Sequence, residues 1–148
     1  MTQTMLTRRV AAPPDILFEA LVTAESICSW WGPDEFRASA AIWEPRVGGR
    51  FEVRFQTEDG LEHTCAGEFL AITNPEHLVM SWRWQSGGVD DERGRVSRIE
   101  FRLRATDIGT ELTFVHAELA TEASALSHEG GWAGAFAKLT RHYEGARS

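Results

Sequence analysis

Five histidines, two cysteines and 22 carboxylates are the side chains of this 148-residue sequence that could move protons, attack carbonyls or bind metals. Their spacing matches none of the compact catalytic signatures. The sequence has no HExxH for zinc, no CxxC for redox or metal work, no GxSxG nucleophile elbow and no GxxxxGK[ST] phosphate loop. Glu52, Glu68, Glu100 and Glu111 alternate with apolar residues and fall mostly on outward faces, where solvated carboxylates are expected rather than a paired acid and base. His116 differs, because it keeps step with Leu112 and Phe114 and so points inward. A neutral imidazole there could hydrogen-bond a ligand or exchange a proton near neutral pH. The plainer reading is a histidine satisfied by the backbone. His63 also has inward parity, beside a turn and near a rim, and His128 opens a Gly-Gly-Trp stretch at the start of the last helix or at a cavity mouth. No nucleophile–base pair emerges, so the sequence assigns no catalytic residue, no metal ligand set and no cofactor.

The stronger signal is aromatic. Six tryptophans and eight phenylalanines stand against one tyrosine, and that much ring surface is either buried or lines a cavity for an apolar ligand. Trp132, Phe136, Leu139 and Tyr143 recur at spacings of four, three and four, which predicts one apolar stripe on a helix from Thr121 to Tyr143. Gly130, Gly131 and Gly134 cost a helix interior about 1 kcal/mol each relative to alanine. They are expected where the helix backbone runs close to another element.

The elements that must hold these residues follow from periodicity. Met5 to Ala11 reads as a strand stopped by Pro13-Pro14, which opens a helix with Ile16, Leu17, Ala20 and Leu21 as its buried stripe. A second helical piece, Glu25 to Trp31, ends at Gly32-Pro33. The period then becomes two. Phe36 to Pro45, Arg50 to Gln56, His63 to Ile72, Leu78 to Gln85, Ser97 to Ala105 and Thr110 to Ala117 are predicted strands. Turns stand between them, including Thr57 to Gly60, and Ser86 to Arg95 reads as a mobile charged loop. Alternation directs Phe51, Phe55, Trp82, Trp84, Phe101 and Phe114 towards the helix. Trp30 and Trp31 are a cavity lid or a ligand platform, or else one closes the core and the other caps a helix end.

Composition narrows the class. The hydrophobic fraction is 43% and the charged fraction 25%, ordinary values for one folded domain over residues 1–148. A net charge of -7 disfavours nucleic acid and anionic membranes as partners. No apolar run reaches the length of a membrane span, MTQTMLTRRV lacks a signal-peptide core, and Cys28 and Cys65 read as reduced, mostly buried thiols, so a cytoplasmic location is expected.

The element order is β-α-α-β-β-β-β-β-β-α, an α+β domain with an antiparallel sheet. With this order, five short motifs resemble one family: Ser29-Trp30-Trp31-Gly32-Pro33, Arg46-Val47-Gly48-Gly49-Arg50-Phe51, Gly67-Glu68-Phe69 with Pro75-Glu76-His77-Leu78, Thr110 to His116, and His128-Glu129-Gly130-Gly131-Trp132. Together they resemble the heat-shock protein 90 ATPase activator homologue family of the START-like, polyketide-cyclase-like (SRPBCC) superfamily, across nearly the whole chain. The resemblance implies a helix-grip fold: a curved seven-stranded antiparallel sheet around a long C-terminal helix, two short helices after the first strand, and a cavity between sheet and helix. Superfamily members include lipid carriers, hormone receptors, polyketide aromatases and cyclases, and co-chaperone domains, so fold does not decide function.

Three functions are therefore open. The first is a binding module for a small apolar or amphipathic molecule, with Trp30, Trp31, Phe51, Phe55, His63, Trp82, Trp84, Phe101, Phe114, His116, Trp132 and Phe136 around the cavity. The second is a cyclase-like enzyme using a cavity histidine. The third is a stress-response interaction protein, related to the co-chaperones, that meets a chaperone through Asp90-Asp91-Glu92-Arg93. The resemblance does not extend to the separate N-terminal domain that accompanies the eukaryotic co-chaperones, so direct chaperone activation is not expected. A monomer or a homodimer is expected.

Overall fold

A computed structural model describes residues 2–32, 37–57, 60–87, 92 and 94–145. In chain order the elements are β1 (Thr2–Val10), α1 (Pro14–Val22), α2 (Ala24–Trp30), β2 (Ser39–Trp43), β3 (Arg50–Gln56), β4 (Glu62–Thr73), β5 (His77–Ser86), β6 (Ser97–Thr106), β7 (Gly109–Leu119) and α3 (Glu122–Gly145). The seven strands form one antiparallel sheet in the order β1-β7-β6-β5-β4-β3-β2. This is the helix-grip arrangement. β2 to β7 run as a meander, and β1 closes onto β7, so the two ends of the chain's β structure are neighbours.

Alternation places the core. Phe51 and Val53 of β3, Leu78, Met80 and Trp82 of β5, Ile99 and Phe101 of β6, and Leu112, Phe114 and His116 of β7 are all buried. Register shifts in the β1/β7, β2/β3 and β4/β5 pairs mark bulges, which add twist and let the sheet curve. α3 fills the concave side and packs against β1, β7 and α2. Its first turn is held by Thr121, whose hydroxyl accepts the Ser124 N–H at 3.0 Å. The two short helices are tied down by indoles. Trp30 Nε1 donates to the Ala20 carbonyl and Trp43 Nε1 to the Val22 carbonyl, each at 2.9 Å, so carbonyls left over at the end of α1 gain partners.

Several expectations change. The first strand begins at Thr2 because β1 pairs along nearly the full length of β7. Ile16 is 47% exposed and Phe18 takes its place in the core, because the helix turns its 17, 18, 21 face inward. Gly130 and Gly131 face solvent, with nothing within 4 Å of where a Cβ would stand, so no close approach explains them. The second strand is Ser39–Trp43; Phe36 lies outside the described residues, as do residues 58 and 59 of the expected turn and residues 88–91 and 93 of the expected mobile loop. Cys65 is buried and Cys28 half-buried, and burial pushes the Cys65 thiol far up.

Candidate functional site

All twelve residues expected around a cavity fall into one connected network of rings. Its larger part is a core. Trp31 stacks on Trp82 at 5.7 Å and meets Trp132 edge-on at 5.2 Å. Trp30 stacks on Phe136 at 6.0 Å, and Phe114 lies 4.5 Å from Trp132 and 5.0 Å from Phe101. Phe51 joins through Trp31 at 6.0 Å. These side chains are all almost fully buried. Trp30 and Trp31 are both buried in this set, and Trp31 is also the residue that caps the C-terminus of α2. An open cleft of about 580 Å³ between α2 and the C-terminal half of α3 touches this set only at Trp30.

The smaller part lies towards a rim. Phe55, His63 and Trp84 form a triangle with centroids 5.6 to 5.9 Å apart, and His63 and Trp84 are only partly buried. Trp84 touches Trp82 at 5.5 Å, which joins the rim to the core. Gly87, at φ +66°, comes so close to His63 that a Cβ would stand 2.4 Å from its Nδ1. Only glycine suits that position, on grounds of both backbone and space.

His116 lies between the two groups, fully buried and 5.3 Å from Trp82. Trp132 Nε1–H donates to its Nδ1 at 3.1 Å. Since Nδ1 accepts, the proton of the neutral ring sits on Nε2 and is donated to Ser97 Oγ at 2.8 Å; that hydroxyl in turn reaches the Trp82 carbonyl at 3.3 Å. Burial, with His128 as neighbour, holds His116 well below the usual imidazole range. The side chain has no lone pair left to take a proton from a ligand. It is satisfied by side chains rather than by the backbone, and its work is to orient Trp132.

His128 is the histidine with capacity to spare. It is 6% exposed, and its ring lies 4.7 Å from His116 and 5.7 Å from Trp84. Nδ1–H donates to the Ser124 carbonyl one turn back at 2.8 Å, which leaves the lone pair on Nε2. Burial keeps the ring below its ordinary pKa, against the opposing pull of the Ser124 carbonyl and the Glu92 carboxylate. Nε2 has no hydrogen-bond partner among the described residues, and the same holds for Trp82 Nε1, Trp84 Nε1 and Glu92 Oε1. Four buried polar atoms without a hydrogen-bond partner among the described residues are uncommon in a folded protein.

Glu92 corrects the expectation of a charged surface segment, since it is only 3% exposed. Its Oε2 accepts the Ala120 N–H at 2.8 Å, and Arg95 Nε stands 3.8 Å from Oε1, an ionic contact too long for a hydrogen bond. Arg95 Nε also donates to the Glu118 carbonyl at 3.2 Å. Glu118 has φ +64°, a left-handed conformation rare for a side-chain-bearing residue, and it sits where the β1/β7 register shifts. The bulge ends the inward alternation of β7 and turns the Ala120 N–H towards Glu92. The other residues of Asp90 to Arg93 lie outside the described set.

His116 stands out in the sequence, whereas Ser97 and, as ligand groups, Glu92 and His128 do not. Two of these were readable. His128 stands four residues before Trp132 and extends the helical stripe by one turn, and Ser97 shares the parity of Ile99 and Phe101. Glu92 carries no such signal, because a glycine-rich charged stretch has no period.

A family model described as activator of Hsp90 ATPase homolog 1-like protein matches residues 11–144. The chain belongs to this family. Among solved structures, the activator-like fold recurs in a protein from Chromobacterium violaceum, with 20% identity, a TM-score of 0.84 and 96% of each chain covered. An AHSA1 protein from Silicibacter pomeroyi is 24% identical, with a TM-score of 0.81 over 95% of this chain and 96% of that one. A protein from Mycobacterium smegmatis is 19% identical, with a TM-score of 0.79 over 99% and 90%. At such identities the likeness concerns the fold alone. No curated protein matches the sequence of this activator-like chain. Among its described residues no helix is long and apolar enough to cross a membrane.

Proposed function

We propose that this protein binds a small, largely apolar molecule at the rim of the sheet–helix interface, its body against Phe55, His63 and Trp84 and its polar end at Trp82, Glu92 and His128. The observation that carries this reading is the group of four buried polar atoms that have no hydrogen-bond partner among the described residues, beside partly buried rings. Burying such groups unpaired costs about 1–3 kcal/mol each, so a partner that satisfies them gains affinity from atoms already desolvated. The neighbouring core rings supply a fixed wall, which limits the side-chain ordering that binding would otherwise require.

One observation favours a second reading, a proton-transfer enzyme, and it moves the base from His116 to His128. An imidazole that is held neutral, oriented through Nδ1 and open at Nε2 is equipped to accept a proton. The two readings separate by product: a binder returns its ligand unchanged and an enzyme does not. The co-chaperone reading loses Glu92, buried as it is, from its contact surface.

Native mass spectrometry of freshly purified protein, joined to thermal melting against a panel of aromatic and amphipathic small molecules, tests binding. A retained molecule or a concentration-dependent rise in Tm is expected. Trp84→Ala should weaken that rise, since Trp84 forms the rim wall. No retained molecule together with no shift from any member of the panel would refute the proposal.

A further inference from the structure

The four buried atoms without a hydrogen-bond partner among the described residues are of two kinds, and their kinds constrain the ligand. Trp82 Nε1 and Trp84 Nε1 carry hydrogens and can only donate. His128 Nε2, opposite an Nδ1–H that donates to Ser124, offers a lone pair, and so does the carboxylate oxygen Glu92 Oε1. The rings involved are close, with centroids 5.5 Å apart for Trp82 and Trp84, 5.7 Å for Trp84 and His128, and 6.5 Å for Trp82 and His128. Glu92 acts electrostatically on the same His128.

We infer that the ligand's polar end is a neutral hydroxyl on an apolar frame, a phenol or an alcohol, which accepts from an indole N–H and donates to His128 Nε2 or Glu92 Oε1. This rests on the binding reading above and adds the class of ligand to it. Head groups that only accept or only donate fail on one side. A carboxylate or a ketone only accepts and leaves both lone pairs facing another acceptor. An ammonium only donates and leaves both indoles without partners. A carboxylate would also meet the charge of Glu92. Arg95 softens that charge, its Nε standing 3.8 Å from Oε1, beyond hydrogen-bond reach. Water is the competing occupant, because it too can donate and accept. A ligand hydroxyl that takes its place keeps most of those bonds and adds the burial of its apolar body.

Three probes on one naphthalene frame separate these cases in the unmodified protein: 2-naphthol, 2-methoxynaphthalene and 2-naphthoate, titrated at pH 7 by calorimetry and by quenching of tryptophan fluorescence. The methoxy compound keeps the oxygen as an acceptor and carries a methyl group where naphthol carries the donated hydrogen. We expect naphthol to bind roughly tenfold or more tightly than either analogue, as a buried polar group left unpaired implies. In Glu92→Gln the amide oxygen can still accept from Ala120 while an NH2 replaces the partnerless acceptor, so the advantage of naphthol over the methoxy compound should shrink. Equal binding of all three would overturn the hydroxyl assignment and leave the binding reading standing, with water serving the polar atoms. Tighter binding of naphthoate would overturn it in favour of an acid. Failure of all three to bind, with no molecule retained on purification, would overturn both readings. These outcomes come from the unmodified chain and do not depend on how well the variant folds.

Discussion

Replacing Gly130 and Gly131 with alanine should stabilise the protein, although both lie in the middle of the helix around which the fold is built. α3 runs from Glu122 to Gly145, so both glycines are interior positions. Each is exposed, and a Cβ added at either would meet nothing within 4 Å. An interior glycine costs a helix about 0.8–1.0 kcal/mol relative to alanine, largely through the greater freedom of the unfolded chain. Adjacent helical positions do not face each other, so the two gains should nearly add, to roughly 1.5–2 kcal/mol. For a chain of this size each kcal/mol moves Tm by about 2–4 °C, and the double variant should melt roughly 3–8 °C higher. Urea unfolding followed by circular dichroism should show a higher midpoint at an unchanged slope. Gly67→Ala is the control of opposite sign, because its Cβ would stand 2.1 Å from the Ser81 carbonyl oxygen. If the helix alanines were neutral or destabilising, the glycines would be held by something other than the packing of the folded chain, and the reasoning would fail.

Phe136→Ala removes a fully buried ring from among Trp30, Phe101, Phe114 and Trp132, and should cost about 3–5 kcal/mol in urea unfolding; a loss under about 1.5 kcal/mol would mean that the ring borders open space rather than a packed core. Trp132→Phe should cost roughly 1 kcal/mol more than Trp82→Phe, because the first leaves His116 Nδ1 without its donor while the second breaks no hydrogen bond of the indole among the described residues. Equal losses would contradict the assigned His116 tautomer. His116 and His128 are both held low by burial, so below about pH 6.5 the unfolded chain binds protons that the folded chain does not. Stability should therefore be complete well above that pH and fall as the pH drops through it, by up to about 1.4 kcal/mol per pH unit for each histidine that stays neutral. His128→Gln should lose one histidine's share of the slope, and a flat profile would show that the two rings take up protons freely in the folded state.

The fold was legible in the sequence because its rules are local. Strict alternation in Arg50–Gln56 and Ser97–Ala105, and the four-three-four spacing from Trp132 to Tyr143, record which side of each element meets the core, and parity survives whatever the neighbouring strand is. Ile16 was misplaced for the same reason. A nine-residue helix has two plausible stripes, and only its contacts choose between Ile16 and Phe18.

By itself, then, the sequence determined the α+β class, the order of the elements, and the inward parity of Phe51, Trp82, Phe114 and His116. The tertiary structure decided what those inward residues do. It packed most of the aromatic set into a ring core and gave both nitrogens of His116 to Trp132 and Ser97. It left the open lone pair on His128 and carried Glu92 inward to the Ala120 N–H beside a bulge. The physical reason is that a hydrogen bond is a property of two atoms in space. The pairs that define this site join residues 16, 19 and 28 positions apart, across a bend in β7 that no periodicity encodes.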